Sequence, residues 1–418
     1  MSFDRFSRYC WSIFELRLNA LMVHKLYRHF QRRYQRWRRY RRLPGWVALP
    51  RAPNLSKEAF LEGLPGFFEL RPAAWSHSSL PWPVALPFLS RSERAWRTVK
   101  SRRIPALGCF VRSNAICGGE GYVYESDQLG WDPLTVPWEW RQRIREVPEE
   151  VPLLNNSSPI KRVDRTLLWF ISRDYNSYGH WWLDLIPRLY LLHRDHSAWL
   201  RKCAVAIPDD LADWARESLV ELFGLAAGQL IEFSLKGGEF LSAPTVVMPT
   251  MIHQDHHFHP MAAEFYTNFL STVITGAVTH TSAPQFMFLT RGNLPRARSL
   301  KNNDAVEQLF HAEGFTLISP ELLGWRDQIA LFRNAKIVAG EHGSAMKNML
   351  FAPAGSVQLI INRLNPNQAS IAAMKQQFCL ILKAEGFHPK NYHVPYRVDL
   401  VRLQQAIKQT KSEALSLT

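Results

Sequence analysis

The chain has 418 residues, 46% hydrophobic and 21% charged, which excludes wholesale disorder and a collagen-like fibre and leaves apolar material for two or three domains. Lys and Arg number 51 against 36 Asp and Glu, for a net +15, and residues 1–42 alone hold 12 basic groups against two acids. Cys10, Cys109, Cys117, Cys203 and Cys379 show no CxxC spacing, which argues against a disulfide framework or a Cys-rich zinc site and suits a reducing compartment.

Residues 1–42 read as a basic amphipathic helix, with apolar positions from Phe3 to Leu26 near helical spacing, followed by an Arg-rich run with Tyr34, Trp37 and Tyr40 interleaved. Basic groups mixed with aromatics suit an anionic membrane surface. The same pattern suits nucleic-acid phosphates and bases, or a solvated helix docked on the body. No apolar run reaches ~18 residues and no signal-peptide core is present. The expectation is a cytoplasmic protein, peripheral at the inner face of the membrane. Residues 43–100 are rich in Pro and Trp with weak periodicity.

From about 160 strands and helices alternate. Strands are expected at 166–172, 204–208, 229–233 and 245–248, and helices at 179–193, 209–223 and 262–278. After Pro284 the pattern restarts, with strands at 286–291, 315–319, 336–340 and 356–361 and helices at 303–314, 325–334 and 345–351. A last helix is expected at 399–418. Such alternation argues for parallel sheets covered on both faces, and two blocks argue for two α/β domains.

Ligands in open α/β folds bind beyond the carboxyl ends of strands, where helix N-termini present free N–H groups. One such place is Gly340-Glu341-His342-Gly343-Ser344-Ala345-Met346-Lys347-Asn348, where a strand ends and small residues open a helix. The N–H groups near Gly343 and Ser344 suit a diphosphate, and His342 suits a phosphate or sugar oxygen. An ordinary strand–turn–helix junction reads the same way. Arg291, Arg296 and Arg298, with Asn302, cluster between a strand and a helix, and paired guanidinium groups can neutralise a diphosphate. The second place is Asn176-Ser177-Tyr178-Gly179-His180-Trp181-Trp182-Leu183-Asp184. His180 and Asp184 are four apart on one helix face, so the carboxylate can orient the imidazole. Trp181 and Trp182 suit a sugar platform, or a core around a satisfied histidine. A third cluster, His253-Gln254-Asp255-His256-His257-Phe258-His259, has the residue types of a transition-metal site, but Pro260 and its place after a strand favour a cleft-lining loop with His256 toward the acceptor.

Together these segments resemble glycosyltransferase family 61. Asn176 to Trp181 is similar to the family's N-x-x-x-H-W segment, followed by Pro187-Arg188-Leu189. Arg291, then Arg298-Ser299-Leu300-Lys301-Asn302, resembles its spaced arginines and R-x-x-x-N element. Gly340 to Asn348 resembles its G-x-H-G-A segment, and Phe351-Ala352-Pro353-Ala354-Gly355-Ser356 closes the likeness. It spans about 165–362. Ser344 stands where the family usually has Ala, and Asn303 where an acid often follows Asn302, leaving the helix start to Asp304.

The resemblance implies a GT-B-like α/β fold, two Rossmann-like domains facing a cleft, and an inverting transferase using a nucleotide-sugar donor. The divisions expected are a basic arm at 1–42, an acceptor-side domain at 43–280, a nucleotide-sugar domain at 281–365 and a helical tail at 366–418. No resident cofactor or metal is implied, and no DxD occurs in the chain. An inverting reaction needs a base for the acceptor hydroxyl and charge stabilisation on the leaving diphosphate. The first role falls to His180 with Asp184, with Glu341 in reserve. The second falls to Arg291, Arg298, Asn302, His342, Gly343, Ser344 and Asn348. Trp181 and His256 are expected at the acceptor, a glycan or lipid-linked saccharide of surface or capsular polysaccharide synthesis. A catalytically degenerate transferase scaffold and a basic-arm nucleic-acid binder are the other readings. The body's net +5 is mild for nucleic acid, and none is expected as a partner.

Overall fold

The computed structural model describes residues 47–48, 53–78, 100–125, 128–131, 154–254, 257–274, 283–291, 300–362, 366–386 and 394–416. The expected basic helix at 1–42, Arg296, Arg298 and His256 lie outside the described residues.

The first half builds a mixed sheet. Its early strands are β1 (Val47–Ala48), β2 (Gly66–Arg71), β5 (Leu107–Gly118), β6 (Tyr122–Glu125) and β7 (Gln128–Trp131), with β3 (Ala74–Trp75) and β4 (Arg103–Ile104) pairing separately. Helix α1 (Lys57–Leu61) starts at Ser56, whose hydroxyl accepts from the Ala59 N–H. Strands β8 (Ile160–Arg162) and β9 (Leu167–Leu168) lead to α2 (Tyr178–His180), a π-helical turn at Trp181–Leu185, and α3 (Ile186–Leu200). Next come β10 (Ala204–Pro208), α4 (Asp213–Phe223), β11 (Leu230–Phe233), β12 (Phe240–Pro249) and the hairpin β13 (His253–Gln254) and β14 (His257–Phe258). Helices α5 (Met261–Glu264) and α6 (Leu270–Val273) flank a second π-helical turn.

The sheet order is β1-β7-β6-β5-β12-β9-β10-β11, with β2 added to β5 and β8 to β12. Strands β12, β9, β10 and β11 run parallel, whereas β5 joins β12 antiparallel along its whole length. In the parallel part, β9 lies between its successor β10 and the much later β12. Strand order therefore reverses between β9 and β12, which opens a crevice beyond their carboxyl ends. The half is thus a mixed sheet, not the simple Rossmann-like unit expected. The described strands β2, β5, β6 and β7, from a stretch that carried no recognisable pattern, supply its antiparallel wing.

The second half is a parallel sheet. It comprises β15 (Phe286–Leu289), α7 (Asn303–Ala312), β16 (Thr316–Ile318), α8 (Trp325–Phe332), β17 (Ile337–Glu341), a 3-10 segment at Ser344–Leu350, and β18 (Val357–Asn362). Then follow α9 (Pro366–Lys375), β19 (Phe378–Lys383) and α10 (Leu400–Ser416). The order β16-β15-β17-β18-β19 places the reversal between β15 and β17. The stretch after 366, expected as a helical tail, also holds a strand: Phe378–Lys383 forms the fifth strand of this sheet, pairing with β18 over Val357–Asn362.

The core explains the alternation. Along β17, Val338 faces one core while Ile337 and Ala339 face another beneath α7 and α10. The larger core is continuous across both halves, running from Trp181 and Trp182 to Met346, Met349 and Phe351. Trp182 lies 5.6 Å from Trp325 and 5.4 Å, edge-on, from Phe351. The expected strand 166–172 is shorter than its apolar run, because after Trp169 N–H bonds Val247 the Phe170 carbonyl turns to Arg188. Among the described residues no helix is long and apolar enough to cross a membrane.

Candidate active site

The first cluster grows from the β9/β12 reversal. After β9 the chain enters α2 and then the π turn, in which Trp181, Trp182, Leu183, Asp184 and Leu185 are all buried. A carboxylate at such a depth requires partners. His180 Nδ1 lies 2.6 Å from Asp184 Oδ2, and His253 Nε2 lies 2.7 Å from Asp184 Oδ1. Burial opposes the charge on Asp184, but the hydrogen bonds it accepts from His180 and His253 outweigh it. The carboxyl is held well below the usual carboxylate range.

A carboxylate only accepts, so both rings donate. His180 carries its proton on Nδ1 and His253 on Nε2. The side chain of His180 is 31% exposed, against 4% for Asp184 and 10% for His253. The remaining nitrogen of His180, Nε2, therefore offers a lone pair at the accessible end of the relay. One turn on, the buried Arg188 staples the two strand ends. Its Nε and Nη2 bond the Pro249 carbonyl at 2.9 and 2.6 Å, and its Nη1 bonds the Phe170 carbonyl at 2.7 Å. Burial pulls its guanidinium down to about 9, with Asp184 opposing.

The second cluster sits at the β15/β17 reversal. Arg291 follows β15, and His342, Gly343 and Ser344 follow β17, so they flank the crevice from adjacent parallel strands. Gly343 is extended (φ 177°), and a Cβ there would meet Arg291 Nη1 at 2.7 Å, so the guanidinium lies directly over this turn. Ser344 is exposed, and it opens the 3-10 segment.

The two clusters meet. Ser177 Oγ lies 3.4 Å from Ser344 Oγ, and the Tyr178 hydroxyl donates to Asn348 Oδ1 at 3.0 Å. A Cβ on Gly179 would meet Lys347 Cδ at 2.4 Å, so glycine permits this approach of α2 to the 3-10 segment. His180 thus stands at the end of a helix turn packed on the segment that carries Ser344.

Several expectations are corrected. Trp181 is fully buried, donates Nε1–H to Ser218 Oγ at 2.9 Å and meets Trp214 edge-on, so neither face is open to a sugar. Trp182 is core as well. Asn348 is fully buried between Tyr178 and Gln328, to whose Oε1 it donates at 2.9 Å, and so it welds the halves instead of meeting a donor. Asn302 acts as a backbone mimic, donating to the Val398 carbonyl at 2.8 Å and accepting from the Val398 N–H at 3.1 Å. Glu341 follows the face of Ile337 and Ala339, is buried, and accepts a hydrogen bond from the Tyr396 hydroxyl, which separates it from the His180 cluster.

The histidine run forms a hairpin and diverges. His253 turns to Asp184, His257 Nδ1 to Ser76 Oγ at 3.3 Å, and His259 Nε2 to the Pro72 carbonyl at 3.0 Å. Among the described residues no group of three or more His, Cys, Asp or Glu is arranged to hold a metal. The residue that motif reasoning missed is His253. Its signal was present in the histidine run, but only the fold brings it to Asp184.

No curated protein matches the chain. Residues 178–359 match the family model described as Glycosyltransferase 61. That segment runs from α2 to β18 and contains His180, Asp184, His253, Arg291 and His342 to Ser344, and its similarity to glycosyltransferase family 61 suggests glycosyltransferase activity.

Proposed function

We propose that the protein is an inverting glycosyltransferase of GT-B arrangement that moves a hexosyl or pentosyl unit from a nucleotide sugar to a hydroxyl of a glycan or lipid-linked saccharide. The observation that carries this reading is the Asp184-bound His180 at one strand-order reversal, packed against the turn beneath Arg291 at the other.

In this reading His180 Nε2 takes the proton of the acceptor hydroxyl as its oxygen attacks the anomeric carbon. The bond from that carbon to the diphosphate oxygen breaks, and the electron pair leaves with the nucleoside diphosphate. Asp184 stabilises the imidazolium formed on His180. Arg291, His342 and the N–H groups around Gly343 and Ser344 meet the charge developing on the diphosphate. Arg298 joins them in the same role. These cations serve the leaving group without a resident metal. His256, three positions after His253 in the sequence, meets the acceptor. The stretch 43–280 is then the acceptor side and 281–365 the donor side, with 1–42 holding the enzyme against anionic lipid at the cytoplasmic face, where surface or capsular polysaccharide is assembled.

A thermal-shift panel of nucleotide sugars tests donor binding. One donor should raise the melting temperature of the wild type and of His180→Gln, but not of Arg291→Ala. No shift with any donor sinks the reading.

A further inference from the structure

We propose that His253 is a positioning residue for the base: through Asp184 it fixes which nitrogen of His180 carries the proton and in which plane the ring lies. The inference rests on the reading of His180 as the base. The two imidazoles arrive from the two strands that flank the reversal, His180 after β9 and His253 after β12, and each takes one oxygen of a single buried carboxylate. With one partner the carboxyl group could turn about its terminal torsion and offer either oxygen. With donors at 2.6 and 2.7 Å on both oxygens its plane is fixed.

The other nitrogen of His253, Nδ1, is buried and has no hydrogen-bond partner among the described residues. A proton there would be a second buried donor with nothing to accept it. His253 is therefore a neutral donor, and the charge of Asp184 remains available to the imidazolium formed on His180. The other groups facing the carboxylate are committed elsewhere. Arg188, from α3, is spent on the Phe170 and Pro249 carbonyls, and the hydroxyl of Tyr266, from the second π turn, donates to the Trp182 carbonyl at 2.8 Å. His257 and His259 are turned to Ser76 and Pro72.

The test is two-bond 1H–15N correlation on full-length, 15N-histidine-labelled protein, which reads the tautomer of each ring. Signals are assigned by their loss in His180→Gln and His253→Gln. The wild type should show His180 protonated on Nδ1 and His253 neutral and protonated on Nε2. His253→Gln keeps a donor for Asp184 Oδ1 and should leave the His180 tautomer unchanged. His253→Phe keeps a flat ring without the donor and should bring in the Nε2–H tautomer of His180. In that variant kcat for nucleoside diphosphate release from UDP- and GDP-sugars should fall about 10–100-fold with donor KM unchanged. Finding His253 on Nδ1–H, or doubly protonated, in the wild type overturns the proposal. So does an unchanged His180 in folded His253→Phe. Should that variant not fold, the wild-type and His253→Gln spectra still decide. If His180→Gln retains full transfer activity, the base reading falls, and the tautomer spectra distinguish that failure from a failure of His253 to position the ring.

Discussion

Asp184→Asn makes the hydrogen-bond logic of the site measurable. The carboxylate accepts from two imidazoles, at 2.6 and 2.7 Å. An amide has one acceptor and must donate through its nitrogen, so one ring has to reverse its tautomer. The structure decides which. If His253 reversed, its Nδ1, already buried and without a partner among the described residues, would become an unsatisfied donor, at a cost of about 1–3 kcal/mol. If His180 reverses, its Nε2–H emerges on a side chain that is 31% exposed, where water accepts it at little cost. His180 is the ring that reverses, and its Nε2 lone pair is lost. The analogous wrong-tautomer substitution in a Ser-His-Asp triad costs about 10⁴-fold in kcat, and a fall of about 10³–10⁴ is expected here, with donor binding retained. Stability should drop by roughly 1–3 kcal/mol, as two charge-assisted bonds become neutral while the burial of a charge is relieved. Steady-state release of nucleoside diphosphate, with melting of the same samples, measures both. A kcat within about fivefold of wild type, from folded protein with donor bound, would refute the reasoning.

The remaining predictions separate chemistry from architecture. The folded pKa of Asp184 is depressed, so its stabilisation is complete above the unfolded carboxylate value of roughly 4 and is lost as pH falls through the folded value. The gap in melting temperature between wild type and Asp184→Asn should therefore be widest near neutrality and narrow below about pH 4. Trp181→Ala should cost about 3–5 kcal/mol in denaturant unfolding, and Trp181→Phe much less, with acceptor KM unmoved in Trp181→Phe; a selective rise in acceptor KM would restore the sugar-platform reading. Arg291→Ala should lower kcat/KM by about 10²–10³-fold through the donor, with the fold intact by circular dichroism. Asn302→Ala should lose about 1–3 kcal/mol of stability with donor affinity unchanged by calorimetry.

What the sequence disclosed follows from locality. Ala204–Pro208 and Ile337–Glu341 are short apolar runs bounded by turn residues, buried on both faces, and they read as parallel strands at once. His180 and Asp184 are four residues apart, so their contact was legible even though the turn between them is π-helical. The long β5 was not legible. Cys109 and Val111 face one core but Ala115 and Cys117 the other, and the exchange occurs around Asn114 in the left-handed region (φ 51°). That change of phase erases the simple alternation by which a strand is recognised. The misassigned asparagines fail for a different reason. The amide partner of Asn302 is Val398, 96 positions away, and that of Asn348 is Tyr178, 170 positions away. A polar residue beside a motif resembles a ligand contact until the fold shows its hydrogen bonds already taken. His253 is the converse case, a residue in a conspicuous histidine run whose partner lies 69 positions upstream.

The most direct measurement compares turnover by wild type and His180→Gln with the donor selected from the nucleotide-sugar panel, following nucleoside diphosphate release while donor affinity is measured in parallel. A base acting on the acceptor predicts a kcat lower by about 10²–10⁴-fold in His180→Gln, with donor affinity unchanged. Undiminished turnover in His180→Gln would contradict the assignment of the Asp184-bound imidazole as the group that activates the acceptor.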